Sequence, residues 1–310
     1  MEFDEFSAMN SVIQVAAEGK SNDLQPGFAQ VRQFIAQSEE RFSRFLPSSE
    51  LNQLNQSGGR WFQASPDLFE LIQEALDLYV LTGGLFDPSI MKALIHAGYD
   101  RSMDEIRLMD SVQVSLFSNY KRIPLEEILL NPDRYAIRLP GDMQIDLGGI
   151  AKGWLAARAA TLLINYTDAA TVSVGGDMVF IGLPADQPAW QVSLEDPRDE
   201  RLILAVLNVG PGSLATSTVT RRRWMQGDQP RHHIIDPRTG APAEIGWLSI
   251  SVYTEKATYA EAFAKALLIA GPTGAAALAT RLPNLNFIAV NQDGGLVGTP
   301  ASKELLYAPE

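Results

Sequence analysis

Cysteine is missing from this chain of 310 residues. Its absence excludes disulfides, thiolate metal sites and cysteine nucleophiles, and it agrees with a reducing compartment. Basic residues are also scarce, because 25 Lys and Arg stand against 37 Asp and Glu, which gives a formal net charge of -12. A surface of this charge repels polyanions, so we expect no nucleic-acid partner and only local contacts to phosphate.

The sequence pattern predicts neither a targeting signal nor a membrane-spanning segment. The first twenty residues carry Glu2, Asp4, Glu5 and Glu18 and lack the basic start and apolar run of a secretory signal. No later stretch approaches the roughly 20 apolar residues that span a bilayer. We therefore expect a cytoplasmic protein without membrane insertion.

The overall composition is that of an ordinary globular protein, with 46% hydrophobic and 20% charged residues. The length allows one large domain or two closely joined lobes. Because no repeat, low-complexity tract or flexible linker divides the chain, we expect a single domain over residues 1–310, with two lobes around a cleft.

Helical and strand patterns are interleaved along the chain, which predicts a mixed α/β protein. Helices are predicted over residues 28–45, 66–82, 152–165 and 258–270 from apolar spacing, with Ser65 as an N-cap and Gly271-Pro272 as a stop. Strands are predicted at 135–139, 144–147, 171–174, 179–183, 190–194, 202–209, 247–254 and 287–291. Neighbouring strands could pair as antiparallel hairpins.

The stretch over residues 146–153, Asp-Leu-Gly-Gly-Ile-Ala-Lys-Gly, runs from a strand into a helix. A glycine pair lets backbone amides approach a ligand, and the helix N-terminus favours a phosphate. Lys152 could neutralise that phosphate or simply be solvated. A second glycine turn, Gly175-Gly176-Asp177, is either a tight connection or another wall of the same site.

Two of the three histidines lie in the segment 232–240, close to Asp236. An imidazole with a pKa near 6.5 can accept a proton from a hydroxyl, and a nearby carboxylate can orient it. The alternative is a turn built by Asp-Pro and Thr-Gly. Hydroxyls at 216–218, followed by arginines at 221–223, suit phosphate oxygens, although an arginine run is often a solvated strand edge.

A late helical segment contains Glu261 and Lys265, which are four residues apart and share one helix face. They could form an intrahelical ion pair. A glutamate beside a phosphate site could instead hold magnesium.

Taken in order, these segments resemble the ApbE family, the FAD:protein FMN transferases. The matching segments are 49–55, Gly-Leu-Phe-Asp-Pro at 84–88, the 146–153 turn, Gly-Gly-Asp at 175–177, Ala-Thr-Ser at 215–217 and His-Ile-Ile-Asp-Pro-Arg-Thr-Gly at 233–240. Together they cover nearly the whole chain. The resemblance implies an α+β fold with mixed or antiparallel sheets, flanking helices and a flavin-binding cleft.

The resemblance also implies a reaction, in which FMN moves from FAD to a threonine of an acceptor flavoprotein and AMP is released. Such chemistry needs positioning, charge neutralisation and a base. By resemblance, His233 is the base and Asp236 orients its loop. The implied FAD-binding residues are Met9, Asn55, Asp87, Asp146, Gly148, Gly149, Lys152, Asp177, Thr216 and Ser217.

The sequence departs from the family pattern most at the implied magnesium site, and more mildly at Thr218, where glycine is common after Ala-Thr-Ser. The ligands of that magnesium site would be the Ala151 carbonyl and side chains at 261 and 265, where the family usually has aspartate and threonine. Glu261 still offers an oxygen, but the ammonium of Lys265 has no acceptor. At about 4 Å it would repel a cation by about 4 kcal/mol per pair of unit charges, at an effective dielectric near 20.

This departure leaves two alternatives to the transferase open. One is an FAD-binding protein without catalysis, and the other is a metal-dependent FAD pyrophosphatase that uses water as the acceptor. The family residues His233, Asp236 and Asp146 favour the transferase, and Lys265 favours the binding protein. The sequence identifies no particular acceptor protein.

Overall fold

The computed structural model describes residues 1–112, 121–244, 246–282 and 284–306. The α-helices in these ranges are α1 (Ser21–Phe42), α2 (Glu50–Asn55), α3 (Pro66–Leu81), α4 (Met91–His96), α5 (Met103–Arg107), α6 (Ala151–Leu163) and α7 (Ala257–Ala279). Short 3₁₀ helices lie at Pro88–Ile90, Leu125–Glu127, Pro132–Arg134 and Pro300–Leu305.

The strands are β1 (Glu2–Ala8), β2 (Ser11–Ala17), β3 (Phe62–Gln63), β4 (Leu129–Asn131), β5 (Ala136–Arg138), β6 (Ala170–Val174), β7 (Asp177–Ile181), β8 (Trp190–Asp196), β9 (Asp199–Val209), β10 (Gly212–Thr218), β11 (Arg223–Gln226), β12 (Gln229–His232), β13 (Ile235–Asp236), β14 (Ala241–Pro242), β15 (Trp247–Thr254), β16 (Asn286–Asn291) and β17 (Leu296–Gly298). Eight of them form one antiparallel sheet in the order β1-β2-β6-β7-β10-β15-β16-β17. With α6 and α7 packed on this sheet, the predicted α+β fold class is confirmed.

The core places the N-terminal ends of α6 and α7 side by side. A methyl group on Gly153 would collide with the carbonyl group of Ala257, so only glycine permits this approach. On the other side of α6, the Trp154 ring packs edge-to-face on Phe42 of α1, with ring centroids 5.4 Å apart. The two helix starts that carry Lys152 and Glu261 are therefore held together.

The predicted helices are present, with some different ends. The side-chain oxygen of Ser65 accepts a hydrogen bond from the amide of Leu68 at 3.2 Å, which confirms the cap of α3. Helix α1 begins earlier than predicted because buried Leu24 extends its apolar face. The stop predicted after residue 270 is present as a break at Gly271, whose φ of 66° is not helical, and helical structure resumes beyond it within α7.

Most predicted strands are present, but the one at 144–147 was wrong. The amide of Ile145 donates to the side-chain oxygen of Asn55 at 2.8 Å, and its carbonyl accepts from the Asn55 amide nitrogen at 2.9 Å. Because a side chain satisfies both backbone groups, this segment needs no partner strand. The sequence pattern also missed the β1–β2 hairpin, whose turn residues Met9 and Asn10 have φ of 54° and 53°.

Helix α7 also corrects the expectation that no stretch is apolar enough to span a membrane. By length and composition it qualifies, with a mean hydropathy of 1.5 over its most apolar 18 residues. Much of this hydropathy comes from alanines, and 56% of the stretch is buried inside the fold. A buried core helix passes the same test, so this finding is weak evidence for a membrane span.

Candidate active site

A cleft of about 800 Å³ brings together segments that lie far apart in the sequence. Its walls come from the first turn of α6, the β6–β7 turn, β10, the segment before β13 and one face of α7. The predicted site residues that line it are Gly148, Lys152, Asp177, Thr216, Ser217, His233, Glu261 and Lys265. Eight residues from five of the matched or candidate segments therefore face one space.

Lys152 forms the centre of an ion-pair cluster on the cleft wall. Its ammonium pairs with Asp177 and donates to Oε1 of Glu261 at 2.7 Å. The backbone amide of Gly153 donates to the other oxygen of Glu261, Oε2, at 2.9 Å. Both acidic side chains are only 4% exposed, so each depends on these partners for compensation of its charge.

Burial shifts the pKa values of Asp177 and Lys152 in opposite directions. It raises the pKa of Asp177 to about 6, with Glu261 adding to the rise and Lys152 opposing it. Burial alone would lower the pKa of Lys152, but the two carboxylates outweigh it and raise that pKa. Lys152 is therefore charged at neutral pH and holds the two acids together.

Lys265 lies one turn after Glu261 on α7, and its ammonium points into the same cleft. It packs so closely over Gly149 that a methyl group there would collide with it. The intrahelical pair with Glu261 does not form, since Glu261 binds Lys152 instead. Within the described ranges, the Lys265 ammonium has neither an ion-pair partner nor a hydrogen-bond acceptor.

His233 lines the cleft with an imidazole that is uncharged at neutral pH. Burial lowers its pKa well below the usual value, and the nearby cations Arg222 and Lys265 lower it further. Its Nδ1 atom is buried and has no hydrogen-bond partner in the described part of the chain. A neutral imidazole in this position can accept a proton.

Asp236 shapes the loop after His233 rather than contacting the imidazole. Its carboxylate accepts hydrogen bonds from the backbone amide of Arg238 at 2.9 Å and from the guanidinium at 2.6 Å. Burial would raise the pKa of Asp236, but the bonds from Arg238 lower it overall. Its carbonyl accepts from the amide of Gly240 at 2.8 Å, so both ends of the residue fix the turn.

A small pocket beside the main cleft contains three more predicted residues, Asp87, Asp146 and Gly149, and shares Lys265 with it. Asp146 pairs with Nε of Arg44 at 2.8 Å and accepts from the amide of Gly148 at 2.8 Å. We call this group, Arg44, Asp146 and Gly148, the Asp146 centre.

Asp87 is almost fully buried at the start of a short 3₁₀ helix. It accepts from the amide of Ser89 at 2.9 Å and from Nε of Arg122 at 3.1 Å. Burial raises the pKa of Asp87, although these hydrogen bonds act in the opposite direction. The carboxylate thus anchors the Gly-Leu-Phe-Asp-Pro turn to a distant arginine.

Four predicted site residues, Met9, Asn55, Ala151 and Asp236, line neither space within the described ranges. The amide of Met9 donates to Oε1 of Glu39 at 2.9 Å, which fixes the β1–β2 turn, and the next residues, Asn10 and Ser11, reach the cleft instead. Asn55 holds the backbone of Ile145, and Ala151 is buried in the first turn of α6.

The sequence analysis missed several partners of the predicted residues. Arg44 and Arg122 pair with Asp146 and Asp87, and Ser251 contacts the hydroxyl of Thr216 at 2.7 Å across the β10–β15 pair. No local sequence signal marks these residues, because each partner comes from a distant part of the chain.

The residues at the implied magnesium site do not fit that metal. Among the described residues, no group of three or more His, Asp or Glu side chains could hold a metal ion. Both oxygens of Glu261 already accept hydrogen bonds, and Lys265 brings donors where magnesium needs oxygen ligands. The predicted ligand set of Ala151, Glu261 and Lys265 is therefore chemically unsuited to magnesium.

With the site described, comparison with known proteins gives the family. The sequence profile of the ApbE family matches residues 9–289, so the chain belongs to this family. The FAD:protein FMN transferase of Treponema pallidum (strain Nichols) is 27% identical over 296 residues, which cover 91% of this chain and 81% of that protein. The FAD:protein FMN transferase of Rhodobacter capsulatus is 30% identical over 267 residues, or 84% of this chain and 50% of that protein.

Solved structures agree on the fold. The ApbE protein of Thermotoga maritima has a TM-score of 0.84 at 22% identity, covering 99% of this chain and all of that one. The flavin transferase ApbE of Vibrio cholerae has a TM-score of 0.78 at 21% identity, covering 98% and 99%. The fold expected from the sequence motifs is thus confirmed.

Proposed function

We propose that this protein is an FAD:protein FMN transferase, which moves FMN from FAD to a threonine of an acceptor flavoprotein and releases AMP. Membership of the ApbE family and the names of its relatives support the reaction class. The observation that carries the proposal is the meeting, in one cleft, of a neutral His233 with the ammonium groups of Lys152 and Lys265. A base thus lies beside groups that can hold phosphate.

In this reaction the threonine hydroxyl attacks the phosphorus of the FMN half. A new oxygen–phosphorus bond forms, the bond from that phosphorus to the bridging oxygen breaks, and AMP leaves with the electron pair. The proton of the hydroxyl passes to His233, whose lowered pKa keeps it available as a base. Cations in the cleft stabilise the charge that develops on the phosphates.

The other cleft residues have binding roles in this proposal. The backbone at Gly148 and Gly149 and the N-terminus of α6 approach a phosphate, and Thr216 and Ser217 donate their hydroxyls. The cleft volume lies in the usual range of ligand sites, about 300–1,000 Å³. The remaining predicted FAD-binding residues, Met9, Asn55, Asp87, Asp146 and Asp177, support the shape of this site.

The acceptor is a flavoprotein that presents a threonine, and we expect no nucleic acid in the reaction. The cytoplasmic location predicted from the sequence stays part of the proposal. Cell fractionation of the full-length protein, followed by immunoblotting, tests it.

The experiment for the proposed function separates transfer from hydrolysis. The purified protein is incubated with FAD, with and without an acceptor that the Vibrio cholerae flavin transferase modifies. We expect AMP release that depends on the acceptor, together with covalent FMN on its threonine. AMP and free FMN without an acceptor would instead indicate a pyrophosphatase, and binding of FAD without either product would indicate a non-catalytic protein.

A further inference from the structure

Four charged side chains on one wall of the cleft have formal charges that cancel without a metal ion. Asp177 and Glu261 supply two negative charges, and Lys152 and Lys265 supply two positive ones. If position 265 carried a neutral side chain, the same wall would have one uncompensated negative charge, which a bound cation could neutralise. In this chain Lys265 already supplies that charge.

The Glu261 carboxylate is not available as a metal ligand. Lys152 and the backbone amide of Gly153 each bind one of its oxygens, at 2.7 and 2.9 Å, and the side chain is 4% exposed. A magnesium ion would have to displace an ammonium from a buried carboxylate while standing beside a second ammonium. The contacts therefore exclude the ion from this position.

The Lys265 ammonium, by contrast, has three donors and no acceptor among the described residues. It lies over Gly149, which has no side chain to block it, and it reaches both the cleft and the small pocket. Lys152, Arg222 and His233 line the same cleft. An unpaired ammonium beside these groups is suited to an anionic ligand.

We propose that the Lys265 ammonium binds the pyrophosphate of FAD directly and takes the place of a divalent metal ion. This inference rests on the proposed function, and it adds that FAD binding and FMN transfer need no metal. The bonds that form and break are those of the transfer described above. Lys265 donates hydrogen bonds to phosphate oxygens and stabilises the charge on the departing AMP.

The first test measures the dissociation constant of FAD by isothermal titration calorimetry, in excess EDTA and in millimolar magnesium. We expect the two values to agree within about twofold for the wild-type protein. Loss of a charge-assisted hydrogen bond predicts that Lys265→Met weakens FAD binding in EDTA by roughly 10- to 100-fold. Lys265→Arg should retain most of the affinity, because it keeps the charge.

Lys256→Met is the matched control, because Lys256 lies at the start of the same helix, is exposed and stands over the Tyr259 ring instead of the cleft. It should bind FAD like the wild type. Circular dichroism melting of each variant verifies that it is folded.

A second test restores the usual family residues. The double variant Glu261→Asp with Lys265→Thr should bind FAD poorly in EDTA and regain affinity when magnesium is added. FAD binding by this double variant, and by Lys265→Met, can be measured even if transfer to an acceptor is slow.

Wild-type binding that requires magnesium, or Lys265→Met with unchanged affinity in EDTA, would overturn the inference. Acceptor-dependent AMP release that needs magnesium would overturn it as well, but would leave the transferase proposal intact. FAD binding in EDTA that is normal in the wild type and weakened in Lys265→Met, without AMP release under any condition, would contradict the transferase proposal and support the binding role of Lys265. Absence of FAD binding under all conditions would contradict both.

Discussion

Two ion-pair clusters lie near the cleft, and they differ in the cavity that their carboxylates face and in the cations beside them. In the Asp146 centre, Asp146 pairs with Arg44 and with the amide of Gly148, and it faces only the small pocket. In the cluster of Lys152, Asp177 and Glu261, the carboxylates line the main cleft beside the ammonium of Lys265, which has no partner among the described residues. The Asp146 carboxylate is bound within its own centre, whereas the second cluster lies beside a cation that has no acceptor among the described residues.

The comparison shows that family motif residues divide into two physical classes. Residues of the first class, such as Asn55, Asp87 and Asp146, fix backbone segments through hydrogen bonds. Those of the second, such as Lys152 and His233, line the cleft. Changes in the first class should affect stability, and changes in the second should affect binding or chemistry. Lys152 belongs to both, because it lines the cleft and also pairs with two buried carboxylates.

The largest expected effect is on the rate of transfer in His233→Gln. Loss of a general base predicts a fall of about 100- to 10,000-fold in FMN transfer, with little change in FAD affinity. Stopped assays of AMP release and calorimetric titration of FAD measure the two quantities. An FAD affinity that falls as much as the rate would show that His233 binds the substrate instead of acting as the base.

Lys152→Met should produce the largest loss of stability, because it leaves two buried carboxylates without their shared cation. We expect the free energy of unfolding to fall by about 3 kcal/mol, measured by urea denaturation. Lys92→Met, at an exposed lysine on α4, is the control and should change it by less than about 0.5 kcal/mol. Equal effects of the two variants would contradict the buried cluster.

Arg44→Met tests the other side of the comparison. Asp146 would keep the amide of Gly148 but lose its ion pair, so the free energy of unfolding should fall by about 2 kcal/mol. FAD affinity of the folded variant should change less than about threefold, since Arg44 does not line the cleft in the described structure.

Arg201→Met is the control for Arg44→Met, because its pair with Asp199 is exposed. The control should alter stability by less than about 1 kcal/mol. Loss of FAD binding without loss of stability in Arg44→Met would place the Arg44–Asp146 ion pair in the binding site itself.

The smallest expected effect is on pH dependence. Because the pKa of His233 is lowered well below its usual value, the transfer rate should stay constant as pH falls to about 6.5 and decline only below that. In the unfolded chain the same histidine binds a proton near pH 6.5, so stability should decrease as pH falls below this value. His233→Gln should weaken that pH dependence in urea titrations.

A decline of the transfer rate that begins above pH 6.5 would contradict a neutral buried imidazole. The corresponding variant His96→Gln, outside the cleft, should leave the pH profile of the transfer rate unchanged.

Local chemistry predicted much of the fold from the sequence. Ser65 and Pro66 mark the start of α3, and apolar alternation marks β15, because cap and strand signals depend on neighbouring residues. The strand predicted around Ile145 was wrong because its structure depends on a residue that is distant in the sequence. Its composition is that of a strand, but its hydrogen-bond partner, Asn55, is 90 residues away.

The sequence predicted many of the residues that line the cleft, but it did not predict which of them form ion pairs with each other. The spacing of Glu261 and Lys265 indicates an ion pair within one helix. The close approach of α6 and α7 at Gly153 gives Glu261 a different partner, Lys152, and leaves Lys265 free of an acceptor in the described ranges. The packing of α6 against α7 therefore decides that Glu261 pairs with Lys152 and not with Lys265.

The most direct test of the central claim is the intact mass of an acceptor protein after incubation with this protein, FAD and excess EDTA. We predict one covalent FMN on each modified acceptor and one AMP for each FMN transferred. An acceptor of unchanged mass in EDTA that becomes modified only when magnesium is present would contradict the metal-free transfer. An unchanged mass under both conditions would contradict the transferase itself.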